Sequence, residues 1–278
     1  MPSVSKIHRI LELLRIHHRT GLTNREISKT LNIPPSTCYR ILADLKKYDY
    51  VTQKKSDLRY TLGFAHMRFA ESIRESMDVV TLSAPYLELL HNETDETTFV
   101  ALFNRSYCVI MEVYGNTNTR IAVGRGEVLP LYASAAGKAV LAFLPERERR
   151  AIIDKITLNQ YTENTIIDPA DLEKNLDEIR REGISYNSQE FHNAINALAT
   201  PVFGHGDRVI GAIALVGFSI DLDREQMREF GAQFLEASKD LSRKMGGHFP
   251  HGVDLSREYM HVAEGTVSRR RDSRKDAI

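Results

Sequence analysis

Aliphatic residues recur at Ile7, Ile10, Leu11, Leu13, Leu14 and Ile16 against Lys6, Arg9, Glu12 and Arg15, a spacing that predicts a helix over 5–18 with one face turned inward. Gly21 stops it. Thr23 followed three residues later by Glu26 is a capping-box start, so TNREISKTLNI reads as a second short helix with Ile27 and Leu31 on its inner side. In NIPPSTCYRILADLKKYDYV a turn and two prolines lead into a third helix, from about 35 to 48, with Ile41, Leu42 and Leu45 as its core stripe. Alternation of Tyr50 and Thr52, then Leu58, Tyr60 and Leu62, around KKSD predicts a two-stranded hairpin.

The next stretch is helical again, with Phe64, Met67, Phe69, Ile73 and Met77, then Val80, Leu82, Leu87, Leu89 and Leu90. Pro85 argues against one unbroken helix, and two helices meeting between Ser76 and Pro85 are expected. From Thr97 the pattern changes to short β-rich runs: TTFVALF, YCVIMEVY, RIAVG, ISYNS, ALATPVF and VIGAIALVG. Helices are predicted among them at 134–143, 145–156, 169–182 and 222–245, which makes the fold class α+β.

Charge sharpens this picture. The chain balances 37 Lys and Arg against 37 Asp and Glu, yet residues 1–64 carry 12 basic and 5 acidic groups, a net of +7, and the remainder carries −7. A basic head of that kind suits a polyanion, and the acidic remainder is expected to face away from it. No apolar run approaches the roughly 18 residues needed to cross a bilayer, and the first residues interleave charge with aliphatics unlike a signal peptide, so a cytoplasmic protein without a membrane partner is expected. With only Cys38 and Cys108, neither a disulfide framework nor a thiolate metal site is supported, and both are expected in the core.

On the third helix Ser36, Thr37, Tyr39 and Arg40 cluster at the N-terminal end, the part of a helix-turn-helix that enters the major groove. Arg40 can pair bidentately with guanine, Thr37 can bond a base or touch a thymine methyl, and Lys46 and Lys47 are placed for phosphates. In the hairpin Lys54, Lys55 and Arg59 would lie beside the backbone or minor groove. Taken singly, each is also explained by a solvated face or a charged turn. Three helices followed by a basic hairpin favour the DNA reading.

These residues resemble the IclR (isocitrate-lyase-regulator) family of bacterial transcription factors. The resemblance rests on the first helix, the TNREISKTLNIPPSTCYRILADLKKYDYV block, RYTLG, LPLYASAAGKAVLAFLP and GISYNSQEF with LATPVFG and VIGAIALVG. It implies a winged helix-turn-helix over 1–63, with the helix-turn-helix at about 23–48. A linker helix over 64–82 and an effector-binding domain over 83–246 follow, the latter a GAF/PAS-like antiparallel sheet flanked by helices. Residues 247–278 form a polar tail expected to be flexible. It further implies a homodimer or dimer of dimers on a palindromic double-stranded operator, acting as repressor or activator, often on a catabolic operon, under a small organic-acid effector.

Read from the residues, Ser134 is an N-cap followed by the small residues Ala135, Ala136 and Gly137, a helix start able to receive a carboxylate or simply to pack closely. The polar loop NSQEFHNAINAL supplies Asn187 and Glu190. By similarity the pocket maps onto Ala135, Ala136, Asn187, Ala197, Ala214 and Val216, with Ile121 as an apolar wall. Where family members often carry Gly, Cys or Ser, this chain has Ala194, Ala197, Ala214 and Val216. Loss of those hydroxyls and the thiol predicts a carboxylate-bearing effector with a larger apolar or aromatic part.

Rival readings are an enzyme and a basic-headed protein adaptor. No Gly-x-Ser-x-Gly elbow, Cys-His signature or paired carboxylates point to catalysis. His248 with His251, and His205 near Asp207, match no metal-ligand pattern, and Gly124 with Gly126 reads as turn chemistry. Neither metal nor cofactor is expected.

Overall fold

The computed structural model describes residues 3–54, 56–75, 77–115 and 123–250. The chain divides into two compact units at Met77/Asp78.

The first unit contains α1 (Ser3–Ile16), α2 (Asn24–Leu31), α3 (Pro35–Lys47), the hairpin of β1 (Val51–Gln53) and β2 (Tyr60–Leu62), and α4 (Ala65–Glu75). Thr23 closes a full capping box with Glu26, Asn32 ends α2 in the left-handed region, and Pro34 and Pro35 open α3 where a missing N–H costs nothing. Ile10, Leu14, Ile27, Leu31, Ile33, Cys38, Leu42, Leu45, Val51 and Tyr60 form one core. Ile16, assigned to the inner face of α1, is 63% exposed, because two residues beyond the buried Leu14 it falls on the opposite side of the helix. Leu22 and Tyr60 exchange two backbone bonds of 3.0 and 2.7 Å, which ties the wing to the loop before α2. Gly21 permits this: its φ is +64°, and a Cβ there would stand 2.8 Å from the Tyr60 carbonyl.

The second unit begins with α5 (Asp78–Thr94) and is organised around an antiparallel sheet. Its strands are β3 (Thr97–Asn104), β4 (Tyr107–Tyr114), β5 (Val128–Leu129), β6 (Ser185–Ser188), β7 (Ile195–Gly204) and β8 (Arg208–Phe218), in the order β5-β4-β3-β8-β7-β6. The helices are α6 (Ala135–Phe143), α7 (Glu146–Ile153), α8 (Pro169–Glu182) and α9 (Arg224–Lys244). On one face α6, with α8 beyond it, packs on Phe99, Ala101, Ala199, Ala212, Ala214 and Val216. On the other, α5 and α9 are tied to the sheet by Thr98 Oγ1 donating to the Leu87 carbonyl and Thr200 Oγ1 to the Phe234 carbonyl. With both faces covered, the strands read as nearly continuous apolar runs.

The two helices expected around Ser76 are α4 and α5, so the segment 64–82 is not a single linker helix, but Pro85 does not cause the break and lies inside α5. Interior proline costs a helix about 3 kcal/mol; burial of Val79, Val80, Leu87 and Leu90 along α5 outweighs it. The two-residue β5 carries too little pattern to be read from sequence. Most of the expected strand RIAVG lies outside the described residues, and Val123 and Gly124 are not in a strand. The expected tail likewise falls outside them from residue 251 on. Both cysteines are buried and unpaired.

Candidate functional site

The inner side of α3 is taken by Cys38, Leu42 and Leu45, which leaves Ser36, Tyr39 and Arg40 exposed and Thr37 half-buried near its N-terminal end. Tyr39 shows 60% of its surface, an aromatic face offered to solvent. Toward the other end, Lys46 Nζ donates to Gln53 Oε1 at 3.1 Å and Lys47 lies 5.4 Å from the centre of the Tyr48 ring. Lys54 is exposed; Lys55 lies outside the described residues.

Arg59, expected beside DNA, is engaged within the unit itself. Its guanidinium donates to both carboxylate oxygens of Glu26, each at 3.1 Å, and to the Gly21 carbonyl at 3.0 Å. Glu26 thus caps α2 and holds the wing at once. Bonds from Thr23 backbone and hydroxyl, then Arg59, keep its carboxyl below the usual carboxylate range. A basic residue in a hairpin looks the same in sequence whether it meets a phosphate or a carboxylate 33 positions away.

This arrangement gives an opposite-signed expectation for Glu26→Gln. If Arg59 were a phosphate contact, removing a nearby negative charge would strengthen duplex binding. As a wing staple, loss of the carboxylate weakens it. Titration of a short fluorescent duplex over a salt series is expected to show weaker binding with an unchanged slope of log K against log salt, since no phosphate contact is lost.

In the second unit a cavity of about 380 Å³ opens between the sheet and the start of α6. Its floor is Phe99, Ile110, Leu129, Ile195, Ala197, Val216 and Phe218; Ser134, Ala135 and Ala136 border it from α6; Asn187, Phe191 and His192 close one side, and Val123 with Glu127 another. Ser134 caps α6 as expected, accepting from Gly137 N–H at 3.0 Å and donating to the Pro130 carbonyl at 2.7 Å. Ala135 and Ala136, in the first turn after this cap, are the α6 residues that border the cavity beside it. Gly137 serves packing instead: a Cβ there would stand 2.6 Å from Leu131 Cα. Asn187 is buried and internally used, donating to the Ala133 carbonyl at 2.6 Å and accepting from Glu190 N–H at 3.0 Å.

Of the expected effector residues, Ser134, Ala135, Ala136, Asn187, Ala197 and Val216 come together at this cavity. Ala214 does not line it: opposite Phe99 and Ala199 in the sheet and wholly buried in the core beneath α6, it has no open surface. Glu190 points elsewhere, into an ion pair with Lys138, because a carboxylate in this dry interior needs a cation. Ile121 lies outside the described residues. Sequence reading missed the aromatic walls Phe99, Phe191 and Phe218; alternation along β3 and β8 places Phe99 on the face shared by Val216 and Phe218, a signal present but unused.

Among the described residues no three His, Cys, Asp or Glu side chains are grouped to hold a metal ion, and no helix is long and apolar enough to cross a membrane. The His248 amide and ring approach Asp207, as a pair. His251 is outside the described residues.

Residues 72–243 match the family described as the C-terminal domain of the bacterial transcriptional regulator IclR, and residues 3–55 match the IclR helix-turn-helix domain. The chain belongs to the IclR family of transcriptional regulators. It is 29% identical over 252 residues to the HTH-type transcriptional repressor AllR of Klebsiella pneumoniae, covering 88% of this chain and 93% of that one. To the HTH-type transcriptional regulator KipR of Bacillus subtilis it is 25% identical over 230 residues, 82% of this chain and 92% of the relative. A crystal structure of an IclR transcriptional regulator from Alicyclobacillus acidocaldarius superposes with a TM-score of 0.76 at 26% identity, covering 88% of this chain and 98% of that one. Within the IclR family these relatives are DNA-binding regulators, and this chain is a regulator of transcription, not an enzyme.

Proposed function

We propose that this regulator reads a palindromic operator with Ser36, Thr37, Tyr39 and Arg40 of paired α3 helices, and that a carboxylate-bearing effector with an apolar or aromatic body occupies the cavity beside α6. Lys46, Lys47, Lys54 and Lys55 are proposed phosphate contacts. The observation that carries the effector reading is the pairing of two unlike surfaces: the capped start of α6 at Ser134, Ala135 and Ala136, and walls of Phe99, Ile110, Leu129, Val216 and Phe218. A helix N-terminus favours an anion, and the walls favour a hydrocarbon ring or chain. Calorimetric titration with aliphatic, aromatic and sugar acids is expected to select an acid with a sizeable apolar part; tight binding confined to the smallest oxo-acids overturns the reading. Control of a catabolic operon, through a shift in the spacing or orientation of the α3 helices, completes the proposal.

Assembly as a homodimer or dimer of dimers is supported by the surface of the first unit. Phe64, Met67, Phe69 and Ile73 leave 81, 69, 51 and 49% of their surface exposed at and along α4. Apolar groups concentrated in this way mark an interaction face. Phe69 also stacks on Tyr50 at 5.8 Å, so the cleaner probes are Phe64 and Met67. The double change Phe64→Ser with Met67→Ser is expected to shift sedimentation equilibrium toward monomer by more than about tenfold in dissociation constant. Unchanged association would remove α4 from the interface.

A further inference from the structure

Lys138, on the same helix as Ala135 and Ala136, is among the largest fully buried side chains described. Its ammonium donates to both carboxylate oxygens of Glu190, at 2.6 and 2.7 Å, and to the Tyr186 carbonyl at 3.1 Å, which uses all three protons. Glu190 is held at its backbone as well. Its N–H donates to Asn187 Oδ1 at 3.0 Å, and its carbonyl accepts from Thr165 Oγ1 at 2.7 Å. Next to it, Thr162 Oγ1 donates to the Gln189 carbonyl at 2.6 Å. The loop bends at two left-handed residues, Gln189 at φ 59° and Ala194 at φ 62°. Between those bends lie Phe191 and His192, which wall the cavity, with Phe191 edge-on to Tyr161 at 4.9 Å.

A buried ion pair is a poor way to gain stability, because desolvation consumes most of the attraction and an apolar pair of equal volume does as well. What it supplies is direction: two short bonds from Lys138 to Glu190, with a third to the Tyr186 carbonyl of β6, fix the loop relative to α6. We infer that Lys138 and Glu190 are positioning residues of the effector cavity, fixing Phe191 and His192 at the distance from α6 that the ligand requires. This rests on the reading of the cavity as the effector site.

The chain contains no tryptophan, so Phe191→Trp provides a single indole in the full-length protein, excited selectively over its 11 tyrosines at the red edge of the absorption band. In that background, Lys138→Met with Glu190→Leu removes both charges while keeping comparable volume. The double variant is expected to retain the parent's cooperative thermal transition, yet the acrylamide quenching constant of the introduced indole should rise roughly threefold as the loop loosens. Affinity for the tightest acid among benzoate, phenylacetate and octanoate should fall about tenfold. Glu190→Gln, which keeps volume and one acceptor, is the second variant and should give an intermediate rise in quenching. Quenching equal to the parent's in both variants overturns the inference. The quenching arm needs no ligand, and the affinities are measured with Phe191 intact, so failure of all three acids to bind that protein counts against the effector reading alone and leaves the positioning result intact.

Discussion

Arg40→Ala is expected to cost about 1–3 kcal/mol of operator binding and to relax preference at one base pair of each half-site. Arg40 stands exposed on α3, on the side away from Cys38 and Leu42, with nothing in the core depending on it. The variant should therefore melt as the parent does. Competition binding against operators changed one position at a time separates this role from a phosphate contact. A base-reading Arg40 flattens the response at one position, whereas a phosphate-bound Arg40 lowers affinity evenly and reduces the salt slope by about one. An even loss would move the base-reading role to Thr37 or Tyr39.

Lys138→Met made alone should cost about 3–5 kcal/mol, because Glu190, nearly buried, is left without its cation. Burial pushes the Glu190 carboxyl above the ordinary range and the Lys138 ammonium below its own, and the attraction of each for the other opposes that shift. Chemical denaturation of the single variants and the double variant forms a cycle. The expected pattern is a large loss for Lys138→Met and a much smaller one when Glu190→Leu accompanies it. Additive losses would show that the two groups do not depend on one another.

Effects of this kind explain which parts of the molecule can be read from sequence. The capping box at Thr23, the proline-led start of α3 and the helix Pro169–Glu182, capped by Asp168 and ended by Gly183, are local: the residues that decide them are neighbours in the chain. The N-cap at Ser134 was legible for the same reason, whereas the residues alone left Ala135 and Ala136 open between a ligand site and close packing, and only the family resemblance placed them at a pocket. Glu190 and Arg59 were not legible, because their partners lie 52 and 33 positions away and a polar loop residue carries no mark of the side chain it will meet. Pro85 misled in the opposite direction: a local veto on helix yielded to burial of α5 against the sheet.

Helix α6 is buried along nearly all its length, and the alanines Ala139 and Ala142 lie in the same core as Ala199, Ala212 and Ala214 of the sheet. Side chains this small set the helix close to the strands, so any enlargement along the seam must push backbone apart. The end of the cavity at Ser134, Ala135 and Ala136 therefore tolerates little change in side-chain size. On the proposed effector reading, a change of ligand preference is expected at the walls away from this helix, where Phe191, Ala197 and Phe218 border the cavity. On that reading, a library confined to those three positions is the shortest route to a regulator that responds to a chosen acid.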